Sequence, residues 1–138
     1  MIVFRRLSHR AVQLYITAEC ANNLQRRQPR YAKTILNRAE TLRKGLYLRR
    51  WARRLRSFGF SPEDAVVVAY ASFGLGSHSR IANVEAIVTN DLKLANNFKA
   101  QKANIEDRFK RMTSDLLDPY SSLTLPEVMT TADALAST

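Results

Sequence analysis

The chain has 138 residues, of which 46% are hydrophobic and 25% charged, and its formal net charge is +10 at pH 7. This length and composition predict a single folded domain over residues 1–138 and exclude wholesale disorder. A lone cysteine, Cys20, excludes an internal disulfide framework and a cysteine-cluster zinc site. No apolar run approaches the ~18 residues that span a bilayer, and the N-terminus lacks the apolar core of a signal peptide, so a cytoplasmic protein without membrane contact is expected.

The positive charge is concentrated in the first part of the chain. Residues 1–56 contain fifteen lysines and arginines against two acids, whereas residues 57–138 contain seven against ten. This asymmetry favours a polyanionic partner for the first part, and it leaves in the second part most of the carboxylates that could hold a metal. A solvated basic surface, or an interface with an acidic protein, is the alternative interpretation.

The first elements are expected to be strands followed by helices. A short strand at residues 1–4 is expected to end early because Arg5 and Arg6 follow it. Residues 12–17 predict a clearer strand, and Thr17 then caps a helix through Leu24.

A second helix is predicted to begin at Pro29, a residue that suits the first helical position. Its apolar residues keep helical spacing as far as Leu42, and Gly45 is expected to break or bend it.

The next helix, within residues 45–60, separates apolar residues from arginines. Leu48, Trp51, Ala52 and Leu55 fall on one face, and the opposite face carries Arg49, Arg50, Arg53 and Arg54. Guanidinium groups bind phosphates through a planar fork, so these four arginines are candidate nucleic-acid-binding residues. Trp51 belongs to the apolar stripe, which favours core packing over stacking on a base.

Residues 61–73 predict a capped helix that is buried on nearly every side. Ser61 is a good N-cap, and Pro62 suits the first helical position. Glu63 and Asp64 favour the positive end of the helix dipole, and residues 65–71 are apolar apart from one tyrosine hydroxyl.

The following strand ends in polar and acidic residues. The segment of residues 84–89 (VEAIVT) is short and rich in β-branched side chains, as is typical of an interior strand of a parallel sheet. Asn90 and Asp91 end this segment. Because sites in open α/β sheets gather at the carboxyl ends of strands, Asp91 could meet the Asp64 carboxylate there.

The last third of the chain predicts a helix, an extended segment and a second, short helix. Residues 92–97 read as a polar turn or short helix, and residues 98–116 keep a helical stripe until Asp118-Pro119 ends it. This helix could be a lid, a homodimer arm or extra packing. Residues 120–129 return to an extended pattern, and residues 131–135 predict a short helix.

Three segments, PEDAVVVAYA, AIVTND and LTLPEVMTTADAL, resemble in order and spacing the second half of a PIN domain. This is the fold of many metal-dependent ribonucleases, including toxins of bacterial toxin–antitoxin pairs. The resemblance implies a three-layer α/β/α fold with a central, mainly parallel sheet. It also implies that Asp64 and Asp91 match two acids that bind divalent metal in that family.

The first half departs from the family pattern. A PIN domain normally opens with a strand that ends in an acid, and none of residues 1–13 is Asp or Glu. Either the start lies upstream or this ligand has been lost. The usual glutamate of the following helix corresponds to Glu19 or falls closer to Asn22 or Asn23, whose amide would bring an oxygen but no charge. A capping role is the alternative for Glu19.

Metal-dependent cleavage of RNA is therefore the expected function. Asp64 and Asp91 are the candidate catalytic ligands of Mg²⁺ or Mn²⁺, Glu19 is a third ligand, and Thr89 and Asn90 could orient Asp91 or a bound water. Asp64 could instead serve only its helix start, and Asp91 could instead cap the turn after its strand. One alternative is a non-catalytic PIN relative that binds nucleic acid, and another is an interaction module for an acidic, antitoxin-like protein.

Overall fold

The computed structural model of the chain describes residues 3–7 and 12–136. Within them, five strands form one open sheet with the order β3-β2-β1-β4-β5. The elements in chain order are β1 (Val3–Leu7), β2 (Val12–Thr17), α1 (Ala18–Arg27), α2 (Pro29–Leu36), β3 (Ala39–Leu42), α3 (Leu48–Arg56), α4 (Pro62–Phe73), β4 (Ala86–Thr89), α5 (Leu92–Ser114), β5 (Glu127–Thr130) and α6 (Thr131–Ala136).

The sheet is mixed, so the expectation of a mainly parallel sheet holds only in part. β2 pairs with β3, and β4 with β5, in parallel, but β1 is antiparallel to both of its neighbours, β2 and β4. The short connection from β1 to β2 explains this direction, because residues 8–11 can join a hairpin whereas a parallel crossover needs a dozen or more residues. β2, β3, β4 and β5 therefore all run in one direction.

The carboxyl ends of these four strands lie at the same edge of the sheet, which we call the carboxyl edge. The residues that follow the strands at this edge include Glu19, Lys44, Asp91 and Asp133. Because β1 separates β2 from β4, the axes of those two strands lie about 10 Å apart. The distance between β2 and β4 therefore limits which of the acidic side chains at this edge can approach one another.

The strand expected to stop before Arg5 continues through Arg6 to Leu7. Both of its sides are paired, with β2 on one side and β4 on the other, and this ladder satisfies the backbone regardless of the two arginines. Residues 1 and 2, where the strand was expected to begin, lie outside the described residues.

The prediction of one long helix from Pro29 as far as Leu42 is wrong. α2 ends at Leu36, and residues 39–42 form β3, which pairs in parallel with β2. Helical spacing of apolar residues cannot reveal this pairing, because the partner strand lies more than twenty residues upstream. The predicted cap at Thr17 is confirmed, since its Oγ1 accepts a hydrogen bond from Cys20 N at 3.1 Å.

Gly45 lies in the turn between β3 and α3, so it does not break a helix. The end of α4 approaches it so closely that a Cβ at this position would collide with the carbonyl oxygen of Phe73 and lie 2.9 Å from Cγ of Leu75. We expect Gly45→Ala to lower the free energy of unfolding by about 1–3 kcal/mol, measured by urea denaturation. A change below about 0.5 kcal/mol would contradict this close approach.

The predicted two-faced helix is confirmed as α3, and its apolar face is buried. The Trp51 ring meets Phe109 of α5 edge-on at 5.2 Å, and Phe73 of α4 lies 5.8 Å from the same Phe109 ring. Core packing of Trp51 is thereby confirmed. Asn97 of α5 also donates to the carbonyl oxygen of Phe58 at 3.1 Å, which ties α5 to the α3–α4 turn.

The capped and buried helix at residue 61 onwards is confirmed as α4. Ser61 Oγ accepts from the Asp64 backbone N–H at 3.1 Å, and most side chains from Ala65 to Phe73 are buried. The strand after it is confirmed but begins at Ala86, two residues later than expected.

The helix expected from residue 98 already begins at Leu92, so residues 92–97 form its first turns. This helix ends at Ser114, before the expected stop at Asp118-Pro119. The extended segment expected over residues 120–129 is correct only at its end, because residues 120–122 form a 3₁₀ turn and the strand β5 begins at Glu127. The final short helix is confirmed as α6. No helix in the described part of the chain combines the length and the apolar character needed to cross a membrane.

Candidate functional site

The exposed face of α3 carries a dense group of arginines. Arg49, Arg50, Arg53 and Arg54 are all exposed, as expected for the face opposite the buried stripe. Arg56, which sequence reasoning missed, is exposed as well, and its position seven residues after Arg49 places it on the same side of the helix. We call these five residues the arginine face.

None of the five guanidinium groups forms an ion pair within residues 3–7 and 12–136. Arg49 and Arg53, like Arg50 and Arg54, are four residues apart, and like charges at this spacing destabilise a helix by a few tenths of a kcal/mol per pair. Bound phosphates would relieve this repulsion, so the arginine face is suited to a polyanion.

Asp64 and Asp91 lie at the starts of two helices. Asp64 belongs to the first turn of α4, and Asp91 is the N-cap of α5, where its Oδ1 accepts from Leu94 N at 3.1 Å. The Asp91 backbone N–H donates to Thr89 Oγ1 at 3.0 Å. The side chain of Thr89 is almost fully buried, so this bond fixes the turn from which Asp91 projects.

The two aspartates are close enough for the charge of Asp91 to act on Asp64. Partial burial and the negative charge of Asp91 raise the pKa of Asp64, with a smaller contribution from Glu63, and hydrogen bonding with Ser61 and the charge of Lys93 only partly oppose this rise. The positive ends of α4 and α5 compensate some of the repulsion between the two carboxylates. A cation between them would relieve the rest, which is what a metal site requires.

The predicted supporting residue Asn90 joins the β4–α5 turn to the end of the sheet. Its Oδ1 accepts a hydrogen bond from the hydroxyl of Thr131, the first residue of α6. Asp133 of α6 in turn accepts from Thr130 N, and its own N–H donates to Thr130 Oγ1 at 3.1 Å. The ends of β4 and β5 are thus linked at the carboxyl edge beside Asp91.

Glu19, the predicted third ligand, is held by other partners. The Tyr70 hydroxyl lies 2.9 and 2.7 Å from its two carboxylate oxygens, and Lys44 Nζ lies 3.5 Å from Oε1. Partial burial on its own would raise the pKa of Glu19. Hydrogen bonds from Tyr70 and the Glu19 backbone, together with Lys44, outweigh it, so that this pKa is lowered.

The sheet explains why Glu19 stands apart from the aspartate pair. Glu19 follows β2 and Asp91 follows β4, and β1 between them keeps these strands about 10 Å apart. Among the described residues, no three His, Cys, Asp or Glu side chains lie close enough together to hold a metal ion. Metal binding by Glu19 stays a prediction, for which Glu19 would have to leave Tyr70 and Lys44.

The contribution of the hydrogen bond from Tyr70 to Glu19 to stability can be tested. We expect Tyr70→Phe to lower the free energy of unfolding by about 1 kcal/mol at pH 7. The folded state lowers the pKa of Glu19 below its ordinary value of 4.5, so this contribution is present above that value and is lost as the pH falls through the lower folded value. Urea denaturation at pH 7 and near pH 3 measures the difference. An equal cost of Tyr70→Phe in a Glu19→Ala background, which has no acceptor at this position, would contradict the role of this bond.

No protein-family model, curated protein or solved structure matches this chain. The PIN resemblance therefore remains a prediction that depends on local motifs and on their order along the chain.

Proposed function

We propose that this protein binds RNA through the arginine face and, in the manner of a PIN-type ribonuclease, hydrolyses it with a divalent metal held by Asp64 and Asp91. The observation that carries the proposal is the arginine face itself, where five exposed guanidinium groups have no ion-pair partner in the described part of the chain. Protein surfaces normally intersperse charges of both signs, so this concentration favours a polyanionic partner.

The order of α3 and α4 along the chain supports the coupling of binding to cleavage. Residues 57–61 connect the helices, and a connection of this length can extend over at most about 20 Å. Asp64 lies in the first turn after it. An RNA strand that follows the arginine face toward Arg56 would therefore approach the aspartate pair without any rearrangement of the fold.

The donor set fits Mg²⁺ or Mn²⁺. These ions take carboxylate oxygens, and Mg²⁺ is often held by only one or two carboxylates, with water and substrate phosphate completing the coordination. Partial burial and the charge of Asp91 raise the pKa of Asp64, and the part due to Asp91 is one that a bound cation would relieve, which supports such a fit. The ion would relieve charge on the phosphate and help to deprotonate the attacking water. Asp64 and Asp91 would hold it, and Thr89 and Asn90 would keep Asp91 in place.

The experiment that tests the proposal follows cleavage and binding separately. Purified protein is incubated with labelled single-stranded RNA and Mg²⁺ or Mn²⁺, with EDTA as control, and binding is measured by fluorescence anisotropy in EDTA. We expect cleavage with metal, no cleavage with EDTA, and salt-sensitive binding of RNA in EDTA. An absence of binding at low salt would overturn the proposal.

A non-catalytic RNA-binding protein is the second candidate, and two observations favour it. Glu19 is engaged by Tyr70 and Lys44, and β1 runs antiparallel, so an acid at its carboxyl end would lie at the edge of the sheet opposite Asp91. RNA binding without metal-dependent cleavage in the same experiment would select this function.

The remaining partner expectations are extensions of the same proposal. An acidic, antitoxin-like protein could occupy the arginine face in place of RNA, and a homodimer and a cytoplasmic location remain compatible with it. Competition between RNA and an acidic polypeptide such as polyglutamate would show whether one surface serves both.

A further inference from the structure

A second group of basic and hydroxyl side chains lies where β3 ends at the carboxyl edge. Arg43, the residue after β3, pairs through its backbone with Leu75, and Leu75 also forms a bridge with Ile81. The backbone bonds between Arg43 and Leu75 are 2.9 and 2.8 Å long. These bonds fix the loop of residues 76–80 directly beside Arg43.

Side chains organise the same loop from both sides. Arg43 Nη2 donates to Ser79 Oγ at 3.2 Å, which orients the guanidinium group. On the other side of the loop, the Glu40 carboxylate accepts a hydrogen bond from the Ser77 backbone N–H. Glu40 forms no ion pair with Arg43 or Arg80 within the described part of the chain, although it lines one cleft together with Arg80.

Arg43, Ser79 and Arg80 are all exposed, and both guanidinium groups retain donors for a ligand. Arg80 lines two clefts, of about 210 and 550 Å³, and Ser79 lines the larger one with it. Arg43 lines neither cleft and reaches the site through its hydrogen bond to Ser79. An oriented guanidinium group, the hydroxyl that it bonds and an arginine next to that hydroxyl in the chain supply the kinds of donor that phosphate oxygens accept.

We propose that Arg43, Ser79 and Arg80 form a second anion site that binds a phosphate group of the RNA strand. This inference rests on the proposed function, because the site chemistry alone does not distinguish a phosphate group of RNA from free phosphate. Its location favours RNA, since Arg43 follows β3 at the same sheet edge where Asp91 follows β4. A strand bound across this edge would meet the anion site on one side and the aspartate pair on the other.

The test compares two single substitutions that each remove one positive charge. Arg43→Gln removes an arginine of the anion site, and Arg111→Gln removes an exposed arginine that is already paired with Asp107 at 2.8 Å. We expect Arg43→Gln to weaken binding of single-stranded RNA on the order of fivefold and to reduce the salt slope of binding by about 0.7. Arg111→Gln should change affinity by less than about twofold.

Ser79→Ala distinguishes an organised phosphate site from diffuse attraction between RNA and positive charge, because it removes a hydrogen-bonding group and no charge. We expect a roughly twofold to threefold loss of RNA affinity with an unchanged salt slope, since only the orientation of Arg43 is lost. Wild-type affinity in Ser79→Ala, together with equal effects of Arg43→Gln and Arg111→Gln, would overturn the inference.

Inorganic phosphate distinguishes failure of this inference from failure of the proposed function. Titration followed by NMR should shift the backbone amides of Ser79 and Arg80 in the wild type and not in Arg43→Gln. Phosphate binding without RNA binding would retain the anion site and reject its RNA ligand. An absence of both would reject the site.

Discussion

Asp91→Asn is expected to abolish metal-dependent RNA cleavage and to leave the fold and RNA binding intact. Asparagine is isosteric with aspartate and is an equally good N-cap, so the hydrogen bond from Leu94 N should survive. The substitution nevertheless removes one of two negative charges available to the metal. Because changes in residues that merely support a metal ligand already cost about 10–100-fold, loss of a ligand charge should reduce the cleavage rate by roughly 100-fold or more.

Asp64→Asn should have the same effect on cleavage and a different effect on stability. Partial burial and the charge of Asp91 raise the pKa of Asp64, so its ionised carboxylate destabilises the fold at neutral pH, and its removal is expected to leave stability unchanged or slightly raised. Asp115→Asn, at the other end of α5, is the matched control and should cleave like the wild type. Full metal-dependent activity in both Asp64→Asn and Asp91→Asn would refute the metal assignment, because each variant lacks one of the two carboxylates that are proposed to hold the ion.

Local patterns were sufficient to predict the elements that carry the candidate site. The apolar stripe of α3, the Ser61 cap of α4 and the short β5–α6 ending follow from interactions within a few residues, so sequence spacing reveals them. The existence of β3 depends on pairing with a strand that is distant in the chain. Residues 39–42 satisfy a helical pattern, and only β2 makes them a strand.

The candidate site shows the same limit. The sequence alone predicts that Asp91 lies at the end of a strand. The effect of its charge on Asp64 becomes evident only once the fold has brought the two residues near each other. Tyr70 lies 51 residues from Glu19 in the chain, and nothing in the sequence around either residue indicates their hydrogen bond. Arg43 and Ser79 are 36 residues apart, and their hydrogen bond likewise cannot be predicted without knowing that the loop of residues 76–80 lies beside β3.

Neutralising the predicted arginines of α3 should produce the largest loss of RNA affinity. The variant replaces Arg49, Arg50, Arg53 and Arg54 with glutamine, which retains helix propensity, and the buried stripe of α3 is untouched, so the fold should persist. With about 0.7 counterions released per phosphate contact on a single strand, four lost contacts reduce the salt slope by up to about 2.8. We expect affinity near 0.1 M salt to fall about 100-fold or more, measured by anisotropy in EDTA.

A control with the same change in net charge decides whether this loss is local. Arg26, Arg27, Arg30 and Lys33 are also exposed, and replacing them with glutamine likewise lowers the net charge from +10 to +6. Diffuse attraction predicts equal losses for the two variants, whereas a binding face on α3 predicts a loss of no more than about tenfold for the control. Replacing the four arginines of α3 with lysine keeps the charge and removes the planar fork. Partial recovery in that variant would show that bidentate phosphate contacts, and not charge alone, hold the RNA on α3.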